Sequence, residues 1–195
     1  MLGLLKPTDP AWVHAAEGNL ASLLQDHAHC ELKAAQNALS LLARFGGEVP
    51  ALIEPLTALA REETSHFGEV ERELRKRAGR LAPPRTDDYV VELRERAKRA
   101  RADGQPALLD RLLVAALIEG RSCERFRLLS ERLSDGGLRS FYRDLMAAEA
   151  QHFTLFCSLA AECCGKDDSR RRFATLVEIE AHVADRLPLA PTVHG

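Results

Sequence analysis

The chain contains two Glu-x-x-His motifs, Glu63-x-x-His66 and Glu149-x-x-His152, and a lone glutamate stands well upstream of each, Glu31 and Glu119. Residues three apart on a helix share a face, so each Glu/His pair can reach a single metal ion. All four glutamates fall on the apolar stripe of their segment. A carboxylate in a helix-bundle core is costly unless a cation or hydrogen bonds replace its lost hydration. Two metal ions would do so for all four. One Glu from each of two helices, with Glu-x-x-His from each of two others, is the ligand set of di-metal carboxylate bundles. Oxygen and imidazole donors suit iron, manganese or zinc. With 18 Glu and 7 His in 195 residues, chance supplies roughly 0.6 pairs at this spacing. A single pair would carry no weight, but two on apolar stripes do.

Other residues near these motifs have weaker claims. His27 lies one turn before Glu31 on the same stripe and reads as a satisfied core histidine, with an outer-shell role at the metal as the alternative. His14 and His29 have no partner pattern and read as surface residues. Glu62 could accept the outer N–H of a ligating histidine or could be a solvated residue. Its counterpart before Glu149 is Ala148.

Four long helices must position these groups. The first is predicted from about Asn19 to Phe45, ended by Gly46-Gly47, with Leu20, Leu23, Leu24, His27, Glu31, Ala34, Ala35, Ala38 and Leu42 inward. The second runs from Pro50 to about Ala78, with Leu52, Leu56, Leu59, Glu63, His66, Val70 and Leu74 inward. Gly79 and Pro83-Pro84 break the chain there. The third runs from about Pro106 to Leu133, inward through Leu109, Leu112, Ala116, Glu119, Cys123 and Phe126. After the turn Ser134-Asp135-Gly136-Gly137 the fourth runs to about Cys164. Asp9-Pro10 opens a short leading helix, and a short final helix is predicted from about Ser169 to Asp185. Residues 79–105, with a basic helical stretch from Asp88 to about Ala102, form a long crossover between two hairpins.

Composition fits an all-helical protein: hydrophobic residues make up 46% and aromatic residues 5% of the chain, with few β-branched runs. The length suits one domain, residues 1–195. No apolar stretch approaches the ~20 residues that cross a bilayer, and no signal-peptide pattern opens the chain, so a cytoplasmic location is the expectation. The five cysteines (Cys30, Cys123, Cys157, Cys163 and Cys164) include no C-x-x-C, and the odd count argues against a disulfide framework. Net charge is −2, yet residues 72–101 hold eleven basic against five acidic side chains. That segment is able to attract anions on an otherwise acidic chain.

The strings around the ligands, "DHAHCELKAA", "LAREETSHF", "IEGRSCERF" and "AAEAQHF", resemble the bacterial tRNA 2-methylthio-N6-isopentenyladenosine hydroxylases, within the ferritin-like di-iron superfamily. "RSCERF" is the most specific, since generic di-metal chemistry does not demand it. The resemblance implies a ferritin-like four-helix bundle with a long helical crossover and short flanking helices. It also implies an O2-dependent monooxygenase acting on the isopentenyl group of a hypermodified adenosine beside the tRNA anticodon. Glu31, Glu63, His66, Glu119, Glu149 and His152 would hold two iron ions, with no catalytic residue beyond these ligands. Electrons would come from an external donor through a redox partner, as no flavin or nicotinamide motif is visible. Lys76, Arg77, Arg96, Lys98, Arg99 and Arg101 would meet phosphates of the anticodon stem-loop, or else form a solvated face of Glu–Arg pairs. Neither DNA nor a membrane is an expected partner. The alternatives are an iron-binding or oxidant-detoxifying protein and a small-molecule di-iron oxygenase.

Overall fold

The computed structural model describes residues 2–194, and they form seven α-helices and one 3-10 turn, with no strand among the described residues. The helices are α1 (Trp12–Gly18), α2 (Leu20–Phe45), α3 (Ile53–Lys76), α4 (Asp88–Arg99), α5 (Ala107–Arg132), α6 (Gly136–Cys164) and α7 (Lys166–Ala184). The chain divides into two compact units. One holds residues 14–86 and 189–193, the other the residues up to 13 with 87–188 and 194.

The first unit is built on the α2–α3 hairpin. Asn19 caps α2 by accepting from Ser22 N–H at 3.0 Å, and Gly46 ends it with an N–H to Leu42 at 2.8 Å. The unit's buried apolar side chains include Leu23, Leu24, Ala35, Ala38 and Leu41 on α2, Leu52 before α3, and Leu56, Leu59, Val70 and Leu74 on α3. α3 ends at Lys76, three residues before the glycine that sequence marks as its stop. Gly79 N–H returns to Leu74 O and Ala78 N–H to Arg75 O, both at 3.0 Å, which is a Schellman closure. The left-handed position of that closure is Ala78, with φ 56°. Gly79 is needed for another reason: a Cβ there would stand 2.2 Å from Leu74 Cδ1. The loop then runs back along α2, held by His29 Nε2 on Ala82 O (2.7 Å). His29 is therefore buried and not the surface residue that sequence suggested.

In the second unit α5 packs on α6, and α7 packs on α4, α5 and α6. Asp87 Oδ1 caps α4 through Val90 N–H (3.0 Å), and Asp135 Oδ1 caps α6 through Gly137 and Leu138 N–H. Gly165, with φ 93°, alone separates α6 from α7. α7 thus starts three residues earlier than predicted, with Asp167 and Asp168 in its first turn, where the helix dipole favours them. A second difference follows from what packs around α5. It is buried on almost every face, including Asp110, Arg121, Ser122, Glu124 and Arg125, because α7, the leading segment and His194 cover the side that sequence left to solvent. Cys123, predicted inward, is only half-buried. Buried Arg172 on α7 grips Asp110 with two nitrogens, at 2.6 and 3.1 Å, and donates to Ala97 O and Ala100 O. These are carbonyls at the end of α4, which a helix leaves without internal partners.

Candidate metal centre

The α2–α3 hairpin brings three of the predicted ligands together. Glu31 sits in the middle of α2, Glu63 and His66 one turn apart on α3, and all three are buried. One ligand atom from each lies within 4.8 Å of the other two. His66 Nδ1 is 3.5 Å from Glu63 Oε2 and 3.7 Å from Glu31 Oε2, close to the spacing of donors that share one ion at about 2.1 Å. Two carboxylates and an imidazole, packed this tightly away from water, repel one another and lack hydration. A divalent cation relieves both, so the donor set fits a metal such as iron. His66 turns Nε2 toward half-exposed Glu62, whose Oε1 is 4.0 Å away, too far for the hydrogen bond that sequence allowed.

In the second unit Glu119 is buried on α5, and Glu149 and His152 are buried on α6 with ligand atoms within 4.8 Å of each other. All six predicted ligands are thus buried and none lies on a solvated face.

The basic residues behave differently. Lys76 and Arg77, at the end of α3, both bond Glu73, Arg77 at 2.8 Å. These two cations outweigh the effect of burial and hold the Glu73 carboxyl below the ordinary carboxylate range. On α4, Arg96 bonds Glu92 at 2.7 Å and Arg99 bonds Glu95 at 3.3 Å, both four residues apart. Arg96 and Arg99 line an open groove of about 780 Å³ with Arg186, Glu92, Glu95 and Ile179. Lys98 is exposed and Arg101 half-exposed.

Sequence gave no role to "RSCERF", and the structure supplies one. Arg121 bonds Glu180 (2.7 Å), Glu124, Thr8 Oγ1 (3.0 Å) and Lys6 O (2.9 Å). Tyr89 OH donates to Glu180 at 3.0 Å. Burial, then the Glu180 charge, push the Tyr89 phenol well above its ordinary range. Ser122 Oγ is 2.9 Å from His194 Nε2, whose Nδ1 is 3.3 Å from Asp87 Oδ2. Arg125 lies over the Trp12 ring at 4.9 Å. The Ser–His–Asp order is that of a hydrolase relay, but Ser122 is buried in mid-helix, where its N–H belongs to the helix and builds no oxyanion site. The motif fastens the leading segment, α4, α7 and His194 onto α5.

An all-helical chain that buries a Glu and a Glu-x-x-His in each of two hairpins is a ferritin-like carboxylate protein by fold and by site. The comparison that fixes the family covers almost the whole length: residues 2–195 match the model of tRNA-(MS2IO6A)-hydroxylase (MiaE). The chain belongs to that family. It is 41% identical over 154 residues to the tRNA 2-(methylsulfanyl)-N(6)-isopentenyladenosine(37) hydroxylase of Pseudomonas putida, covering 79% of this chain and 73% of the relative. It is 30% identical to the protein of the same description from Salmonella typhimurium, covering 85% and 77%. A solved structure titled as a protein with aldehyde deformylating oxygenase activity, from Synechococcus, superposes with a TM-score of 0.89 at 36% identity, over 98% of this chain and 95% of that one.

Proposed function

We propose that this protein hydroxylates the isopentenyl side chain of 2-methylthio-N6-isopentenyladenosine next to the tRNA anticodon. Two iron ions would be held by Glu31, Glu63, His66, Glu119, Glu149 and His152. The observation that carries this is the buried Glu31–Glu63–His66 cluster in a chain whose family acts on that nucleoside. The same family match disfavours the iron-handling and small-molecule oxygenase readings.

When bound, the iron pair would supply the activation of dioxygen, with one oxygen atom entering a C–H bond and the other leaving as water at the cost of two electrons and two protons. An external donor would provide those electrons. The protein's own residues have narrower tasks. Four carboxylates would balance the formal charge of two divalent ions, and each histidine would hold an ion through one ring nitrogen. The apolar sides of the helices would keep water from the donors and leave the space beside them to the substrate's prenyl group. The phosphates of the stem-loop would be met by Lys98 and Arg101 first, with Lys76, Arg77, Arg96 and Arg99 recruited from their carboxylate partners.

The test is to incubate the iron-loaded, reduced protein with oxygen and a prenylated anticodon stem-loop, digest it, and weigh the nucleosides. One added oxygen (~16 mass units) on the prenyladenosine, absent with Glu119→Ala, is the expected result. No added oxygen from protein shown to hold reduced iron would sink the assignment.

A further inference from the structure

The two oxygens of Glu31 are not equivalent. Oε1 lies 2.6 Å from His27 Nε2, both side chains being almost wholly buried. Oε2 is the oxygen that faces His66 Nδ1, at 3.7 Å. His27 stands four residues before Glu31 on α2, so the helix itself presents the donor, and little ordering is needed to make the bond. A hydrogen bond to a carboxylate is strong, and stronger away from water. A carboxylate left free can turn and chelate one ion with both oxygens. Here that turn would break a short buried bond and leave His27 Nε2 without its acceptor.

We propose that His27 is a positioning residue that holds Oε1 of Glu31, so that Glu31 meets iron through Oε2 alone. This rests on the ligand assignment given above. Of the four carboxylates only Glu31 has a histidine four residues before it: the residue four before Glu63 is Leu59, before Glu119 Ala115, and before Glu149 Leu145. Glu31 therefore differs from the other three carboxylates in the donor that its own helix presents one turn earlier.

The experiment compares the iron-loaded, reduced wild-type protein with His27→Gln, which keeps an N–H donor, and His27→Leu, which does not. Three quantities are read: iron per chain, the near-infrared ligand-field spectrum of the ferrous centre, and the melting temperature without metal. The expected result is an unchanged spectrum for His27→Gln and shifted ligand-field bands for His27→Leu at equal iron content, as Glu31 gains a second bond to iron. A wild-type spectrum in His27→Leu, with only the melting temperature lowered, would show a merely structural histidine and overturn the proposal. If His27→Leu does not fold, a structure of the iron-loaded wild-type protein decides instead, and Glu31 Oε1 bonded to iron would also overturn it. Failure of the underlying assignment looks different: Glu31→Ala would then keep both the iron content and the spectrum of the wild type.

Discussion

At the scale of single residues, the groups legible in the sequence were those in conflict with their surroundings. Glu31, Glu63, Glu119 and Glu149 announce themselves because a carboxylate on an apolar stripe needs a reason. His29 gave no such signal, since its acceptor is the backbone carbonyl of Ala82, and a backbone carbonyl has no identity in sequence. Ala78 was equally silent. It occupies the left-handed position that closes α3, with φ 56°, where a Cβ is strained and glycine is not. Ala78→Gly is expected to raise stability by up to about 1 kcal/mol, read as a higher urea midpoint with unchanged slope. A lower midpoint would mean that the added freedom of the unfolded chain outweighs the relief of strain.

At the scale of elements, breakers and periodicity placed the long helices within a few residues. Gly46, Asp87, Asp135 and Gly165 act at helix ends through identifiable bonds and angles. The surroundings of α5 were less legible. A helix packed on one side shows a stripe, whereas one enclosed all round shows only polar residues whose partners lie far away in sequence. Arg121 with Glu180 and Arg172 with Asp110 are 59 and 62 residues apart, and nothing local pairs them. The Arg121 bond set makes the strongest demand. Arg121→Met would leave Glu180 and Glu124 buried without a countercharge and cost about 3–5 kcal/mol, measured by denaturant unfolding. A loss below about 1 kcal/mol, the scale of an exposed pair, would show that the network relaxes around the gap.

At the scale of the whole chain, charge is the property that sequence located and structure refined. No helix among the described residues is long and apolar enough to cross a membrane, and the cationic residues gather around the end of α3 and on α4. Those with a carboxylate one turn away begin paired: Arg99 with Glu95 and Arg96 with Glu92. Binding of the anticodon stem-loop should weaken with salt, each phosphate contact adding about 0.7–0.9 to the slope of log affinity against log salt. Replacing Lys98 and Arg101 together by Ala should lower that slope by nearly two contacts' worth. Replacing Arg96 and Arg99 should lower it less, because their carboxylates already compete for them. Equal slopes for both double variants and the wild type would make the basic stretch a solvated face.

The enclosure of α5 also bears on how the chain comes apart. Local opening begins where few apolar contacts and many solvent-facing amides lie, and α5 offers neither along most of its length. A helix with neighbours on every side yields only with the unit that contains it, so Glu119 is anchored to a segment with no small opening of its own. α2 and α3 each keep a solvated face and can fray separately. Fluctuations too small to unfold the protein will therefore disturb Glu31, Glu63 and His66 before they reach Glu119.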